Sequence, residues 1–282
     1  MSEKITFTWE IHWDCNYRCP YCWYHGQWEH LKHRNTYPDF EKILSVWKRI
    51  YDLYGECNLE IVGGEPSIYP NFSRLILELI KYHKITITTN FSGDVDAIIK
   101  NNDQKMKEKL RIAATFHPLF SDINVFLPKV ISAKENGLNI GVIYLAYPSQ
   151  IKDIPEYIKL FACKNISFSL LTFWGEYEGK KYPDAYTDEE KKIIGLAISV
   201  SNDATFQTEP LVTKGKLCNA GHTYALIHPD GEVNPCGGAS REGKGIVMGN
   251  IFDPNFKLYD NMMRCPSQNC PCNEWAFLMV RD

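Results

Sequence analysis

Cys15-Asn-Tyr-Arg-Cys19-Pro-Tyr-Cys22 decides how this chain is organised. The three thiols, spaced C-x3-C-x2-C, follow the apolar run Ile5-Thr-Phe-Thr-Trp-Glu-Ile-His-Trp13, which reads as a strand. Thiolates are the usual ligands of cubane iron–sulfur clusters, which hold four irons. Three thiolates on one short loop leave one iron without a protein ligand, and an open iron binds a small molecule directly. Zinc is the alternative metal, with His25 or His30 as the fourth ligand of a closed tetrahedron. A disulfide framework is disfavoured, because the N-terminus lacks a basic start followed by a long apolar core. Ten cysteines in an unsecreted chain of 282 residues point instead to metal ligation in a reducing cytosol.

The cysteine loop, with an aromatic (Tyr21) before its last thiol, resembles the signature of the radical S-adenosylmethionine (SAM) enzymes. Further segments match that family in order. Glu60-Ile-Val-Gly-Gly-Glu-Pro66 resembles the Gly-Gly-Glu-Pro motif that ends the family's second strand. Gly63 and Gly64 let backbone approach a ligand, and Glu65 suits the ammonium of a methionine moiety. A strand-to-helix turn with a capping glutamate is the plainer alternative. Ile85-Thr-Ile-Thr-Thr-Asn90 and Arg111-Ile-Ala-Ala-Thr-Phe-His-Pro118 read as strands three and four. Their ends carry Asn90, Thr115 and His117, where parallel barrels place ligands. A threonine at a strand end is also plain β-propensity.

Strand–helix alternation runs through the first 175 residues and argues for a parallel sheet. Helices are expected over 39–51, from Asn71 as cap to Ile80, over Val95 to about Leu110, near Phe126 to Ala133 with a break at Pro128, and over 154–163. Strand two covers Asn58 to Val62, strand five Leu138 to Ala146 and strand six Ile166 to Thr172. Six such repeats give a partial (β/α)6 TIM-like barrel, the fold the resemblance also implies. Residues 1–175 are the expected barrel, 176–214 a linker and helix, and 215–282 a small C-terminal domain. Phe173 to Pro183 breaks the repeat as a linker or lid, and Thr187-Asp-Glu-Glu190 reads as a capping box.

Tyr224 to Cys236 reads as a hairpin around a Pro-Asp-Gly turn, between Cys218 and the tail thiols Cys265, Cys270 and Cys272. Its C-x(9–15)-G-x4-C pattern is similar to the SPASM and twitch extensions, which carry auxiliary clusters. The tail departs from the full SPASM spacing, so the resemblance implies one auxiliary [4Fe–4S] cluster. Cys218, Cys236 and Cys270 are its expected ligands, with Cys272 and Cys265 competing for the last place. Zinc again remains the alternative metal. A spare Cys265 would be a candidate hydrogen donor in redox-neutral work such as epimerisation. Cys57 and Cys163 are expected to be core residues.

The resemblance implies SAM as co-substrate, reductive cleavage to a 5′-deoxyadenosyl radical and hydrogen abstraction from a small-molecule or peptide substrate. It also implies an auxiliary cluster that takes an electron in dehydrogenation or cross-linking, and a reductant such as flavodoxin or ferredoxin. The start of the cluster loop at Cys15 leaves no room before it for a peptide-recognition domain. A cluster-bearing carrier or zinc module is the non-enzymatic alternative, and Glu65 with its glycines argues against it. Net charge of −3, from 31 basic and 34 acidic side chains, shows no polyanion preference, so nucleic acid is disfavoured. No apolar run approaches membrane-spanning length, and the cysteine usage makes a cytoplasmic location the expectation. The aromatic and histidine-rich stretch Trp23 to His33 is expected as a packed cover, or else as a wall of the substrate pocket.

Overall fold

The computed structural model describes residues 4–101, 103–201, 212–238, 246–268, 270 and 278–279. Six strands follow one another in sequence and in space: β1 (Thr6–Glu10), β2 (Asn58–Val62), β3 (Lys84–Thr89), β4 (Leu110–Thr115), β5 (Asn139–Leu145) and β6 (Ser167–Leu171). All five pairings between them are parallel. Each strand alternates, because successive side chains on a pleated strand face opposite ways. Phe7, Leu59, Ile61, Ile85, Ile87, Ile112, Ile140 and Val142 are buried in one continuous core with Trp47, Ile50, Leu75 and Leu79 of the flanking helices. The opposite set, Glu10, Val62, Thr88, Thr115, Leu145 and Leu171, lines cavities at the carboxyl ends of the strands.

β6 is followed by a hairpin, β7 (Gly175–Tyr177) and β8 (Lys180–Tyr182), in the stretch read as a linker or lid. Its turn places Glu178 and Gly179 at positive φ, as a two-residue hairpin turn requires. Beyond it come β9 (Leu217–Cys218), β10 (Tyr224–Ile227), β11 (Glu232–Asn234), β12 (Gly249–Asn250) and β13 (Met263–Arg264). β10 pairs parallel with β1, and β11 and β12 extend the sheet antiparallel, giving the order β12-β11-β10-β1-β2-β3-β4-β5-β6. β10, β11 and β12 are thus continuous with the main sheet, whereas β9 and β13 pair antiparallel with each other in a separate two-stranded sheet. Gly231, at φ +83°, closes the expected turn between β10 and β11.

Several local expectations need correction. The helix containing Pro128 is not broken there but runs from Ile123 to Glu135. Asp122 caps it by accepting from the Asn124 amide at 2.8 Å. The proline removes one helical bond, and buried Phe126, Val130 and Ala133 hold the helix across it. The stretch from Val95 to Leu110 is two helices, Asp96–Lys100 and Gln104–Lys109, and Leu110 opens β4. Asn71 occupies its N-cap position at φ 56°, without a side-chain capping bond. The Thr187–Glu190 box forms as expected, with reciprocal bonds of 2.7 and 3.2 Å. Cys57 is buried in the core, whereas Cys163 is exposed just past the helix Ile154–Ala162, outside its buried stripe.

Candidate active site

The β1 strand delivers the chain to the carboxyl edge of the sheet, and the cysteine loop folds over that edge. Cys19 is buried and Cys15 and Cys22 are half-buried. Cys15, Cys19, Cys22, Gly63, Gly64, Glu65, Asn90, Thr115 and His117 line one cavity of about 400 Å³ together with Tyr21. Burial pushes the Cys15 thiol up to about 11, partly offset by the Tyr17 amide, which donates to its sulfur at 3.3 Å. Burial likewise pushes Cys19 up to about 12 and raises Cys22. Bare thiolates are therefore unfavourable here, and only strong positive charge would hold three of them. Among the described residues, no three His, Cys, Asp or Glu side chains form a group suited to one metal ion.

Gly63 and Gly64 are required by backbone packing as well as by the cavity. A Cβ on Gly63 would lie 2.2 Å from the His12 carbonyl oxygen, and one on Gly64 would lie 2.0 Å from that of Asp14. The same contact is stitched by Gly64 N–H to His12 O at 2.7 Å and Glu65 N–H to Asp14 O at 2.8 Å. His12, buried between Tyr37 and Tyr69, donates Nε2–H to the Glu65 carbonyl at 2.8 Å. The Gly-Gly-Glu loop is thus clamped onto the three residues preceding Cys15.

Glu65 is almost wholly buried. Its Oε1 accepts from Ser67 N–H at 2.9 Å, Ser67 Oγ at 2.5 Å and Thr89 Oγ1, and its Oε2 accepts from Asn90 N–H at 2.6 Å. Burial raises its pKa, and these hydrogen bonds oppose the shift. Every one of the four donors is neutral, so the protein orients the carboxylate without cancelling its charge. Asn90 Nδ2 donates to Asn16 Oδ1 at 3.0 Å, and Asn16 Nδ2 to Ser92 Oγ at 2.9 Å, tying the end of β3 to the cysteine loop. Tyr21 and His117 stack with ring centroids 5.8 Å apart and share a 3.1 Å hydrogen bond between the hydroxyl and Nδ1. Burial lowers His117 to about 4, so the imidazole is neutral at physiological pH.

Sequence reasoning missed Asn16, Ser67 and Ser92, which organise this site together with Thr89 at the end of β3. It also missed a second cavity of about 670 Å³ on the β10 side, which shares Tyr21, Cys22, Trp23, Phe173 and Trp174 with the first. The Trp23 to His33 stretch lines both cavities, with Trp23 itself 49% exposed. In the second cavity, buried Glu10 accepts from Trp13 Nε1 at 3.1 Å and from the Tyr24 hydroxyl, and pairs with His228 Nδ1 at 2.6 Å. The parallel β1–β10 register brings His228, just past Ile227, beside Glu10. That pairing spans most of the chain, and nothing local announces it.

The C-terminal thiols divide. Cys236 and Cys265 pack against a buried group containing Cys218, Tyr224 and Leu278. Cys265 also donates to Thr213 Oγ1 at 3.3 Å. Cys270 is half-buried outside this group, and Cys272 lies outside the described residues.

This site on a mainly parallel sheet defines a class. Residues 11–105, about a third of the chain, match the model of the Radical SAM superfamily, and this segment holds the cysteine loop and Glu65. Across the chain, it is 21% identical to the antilisterial bacteriocin subtilosin biosynthesis protein AlbA of Bacillus subtilis (strain 168), aligning over 90% of this chain and 59% of AlbA. Streptococcus suis SuiB bound to precursor peptide SuiA superposes with a TM-score of 0.62 at 15% identity, over 90% of this chain and 63% of SuiB. Native anSMEcpe with bound AdoMet gives a TM-score of 0.63 at 17% identity, over 91% of this chain and 81% of that protein. The chain therefore spans about three-fifths of AlbA and of SuiB. No helix among the described residues is long and apolar enough to cross a membrane.

Proposed function

We propose that this chain is a radical SAM oxidoreductase of the maturase type, acting on a peptide. The carrying observation is that three thiols from one loop and the buried Glu65 share a single cavity. The residues fit the group. Cys15, Cys19 and Cys22 would hold a [4Fe–4S] cluster, and Glu65, which pairs with no cation among the described residues, would hold the ammonium of SAM. When bound, the cluster and SAM supply a 5′-deoxyadenosyl radical that abstracts hydrogen from the substrate. The protein's share is orientation and exclusion of water. The clamp from His12 and Asp14 fixes Glu65 relative to Cys15, and Asn90 with Asn16 fixes the end of β3 to the same loop. Tyr21 and His117 line the same cavity beside the thiol loop, and the neutral imidazole adds no charge there.

Strands β1–β6 in this reading form the partial barrel, with residues 215–282 as a twitch-like extension. Cys218, Cys236 and Cys265, sharing one buried patch, are the favoured start of an auxiliary [4Fe–4S] site, completed by Cys270 or Cys272. This grouping favours Cys265 as a ligand over a role as free hydrogen donor. Four thiol ligands would suit the cluster to electron transfer in dehydrogenation or cross-linking, with a flavodoxin or ferredoxin as the reductant and the cytoplasm as the setting. The likeness to AlbA and to peptide-bound SuiB favours a peptide over a small molecule. Anaerobic reconstitution tests the whole reading: it predicts about eight irons per chain for two cubanes. Colourless protein binding only zinc would overturn it.

A further inference from the structure

We propose that Tyr21, held by His117, tunes the reduction potential of the cluster on the first three cysteines through a hydrogen bond to Cys19. The inference deepens the reading above and rests on it for the presence of that cluster. Donors reach all three sulfurs of the loop, but not from the same source. Tyr17 N–H donates to Cys15 Sγ at 3.3 Å, and the Tyr24 amide serves Cys22. Both are backbone groups two residues beyond their cysteines, so the loop conformation supplies them whatever the side chains. Cys19 differs. Besides its own amide, a side-chain hydrogen bond from Tyr21 reaches its sulfur, and His117 Nδ1 lies 3.7 Å from the same atom. Of the three sulfurs, this one is served by groups that depend on residue choice.

The proton positions follow from the partners. A ligating thiolate only accepts, and an unprotonated Nδ1 would aim its lone pair at that negative charge. His117 therefore carries its proton on Nδ1. That N–H donates to the Tyr21 oxygen at 3.1 Å, and the Gln150 side-chain amide reaches the same oxygen as a second donor. With its oxygen accepting, the hydroxyl has its own proton left for Cys19 Sγ. Packing fixes the ring that carries it. Tyr21 stacks on His117 at an interplanar angle of 14° and also packs against Tyr147, with centroids 4.8 Å apart. A hydrogen bond to a coordinating sulfur favours the more negative, reduced cluster and so raises the potential. The step it eases is a one-electron transfer: the flavodoxin or ferredoxin loses the electron and the cluster gains it.

The test is an EPR-monitored potentiometric titration of the anaerobically reconstituted protein, following the cluster signal that changes when SAM is added. Tyr21→Phe should lower that potential by about 59 mV, a tenfold change in a one-electron equilibrium. His117→Leu should shift it in the same direction. His117→Asn, which keeps an amide N–H near the place of Nδ1–H, should hold the equilibrium within about threefold of wild type. Tyr147→Phe removes a hydroxyl from the neighbouring ring only and should leave the potential unchanged. If Tyr21→Phe does not retain the cluster, His117→Leu and His117→Asn decide on the same readout. A wild-type potential in both Tyr21→Phe and His117→Leu would overturn the inference. An equal drop in Tyr147→Phe would also overturn it, making the effect one of packing. A protein with no SAM-responsive cluster would fail the proposed function, and the inference with it, a result distinct from an unshifted potential.

Discussion

Gly64→Ala should be among the most damaging single-methyl changes in the chain. The added Cβ would stand 2.0 Å from the Asp14 carbonyl oxygen and 2.4 Å from its carbon, both rigid backbone atoms. Relief requires that contact to open to about 3.4 Å, the lower edge of an ordinary approach. The movement breaks Gly64 N–H to His12 O and Glu65 N–H to Asp14 O, which are 2.7 and 2.8 Å in the native clamp. Each buried backbone bond is worth about 1 kcal/mol net, and overpacking costs about 1–3 kcal/mol, so a loss of about 3–5 kcal/mol is expected. Because Asp14 adjoins Cys15, iron retention should fall together with stability. Urea denaturation of the iron-free protein and iron content after anaerobic reconstitution report the two effects. Gly195→Ala is the matched control: it meets nothing within 4 Å in an exposed helix position and should stabilise by about 0.5–1 kcal/mol. Wild-type stability and iron content in Gly64→Ala would refute the clamp.

Glu65→Gln places an amide group against donors from Ser67, Thr89 and Asn90 and should weaken SAM binding at least ~10-fold, measured by equilibrium dialysis. His83 is buried; it accepts from Cys57 N–H at 3.3 Å through Nδ1 and donates Nε2–H to Trp47 O at 2.9 Å. Burial lowers its pKa below the ordinary 6.5, so the unfolded chain binds the proton more readily and stability falls as pH drops below 6.5. His83→Leu should be less stable at neutral pH yet show a shallower acid slope in denaturation midpoints. Arg49 donates to the carbonyls of Ile251 and Pro254, so Arg49→Met should cost about 1–3 kcal/mol in the same assay.

The strands were legible because β-branched residues alternate at the right period, as in Ile85-Thr-Ile-Thr-Thr, whose buried and half-buried positions alternate as expected. The thiol loop and Glu65 were legible because their chemistry is unusual at that spacing. The glycines were only partly so: the sequence pointed to a ligand, whereas their tightest neighbours are carbonyls of residues 12 and 14, fifty or more positions earlier. Local reading also broke the helix at Pro128, since propensity does not register the burial of Phe126 and Val130 that carries the helix through. Glu10 and His228 gave no signal at all. Their meeting depends on β10 joining β1 in parallel, a pairing between the ends of the chain.

The central claim is that an iron held by Cys15, Cys19 and Cys22 keeps one coordination site open for SAM. Electron–nuclear double resonance on the reduced, anaerobic protein with 15N-amino-labelled SAM tests it directly. A nitrogen hyperfine coupling from the labelled amine to the cluster is predicted, lost in Cys22→Ala. A reduced cluster on these three cysteines that shows no coupling to bound, labelled SAM would contradict the account.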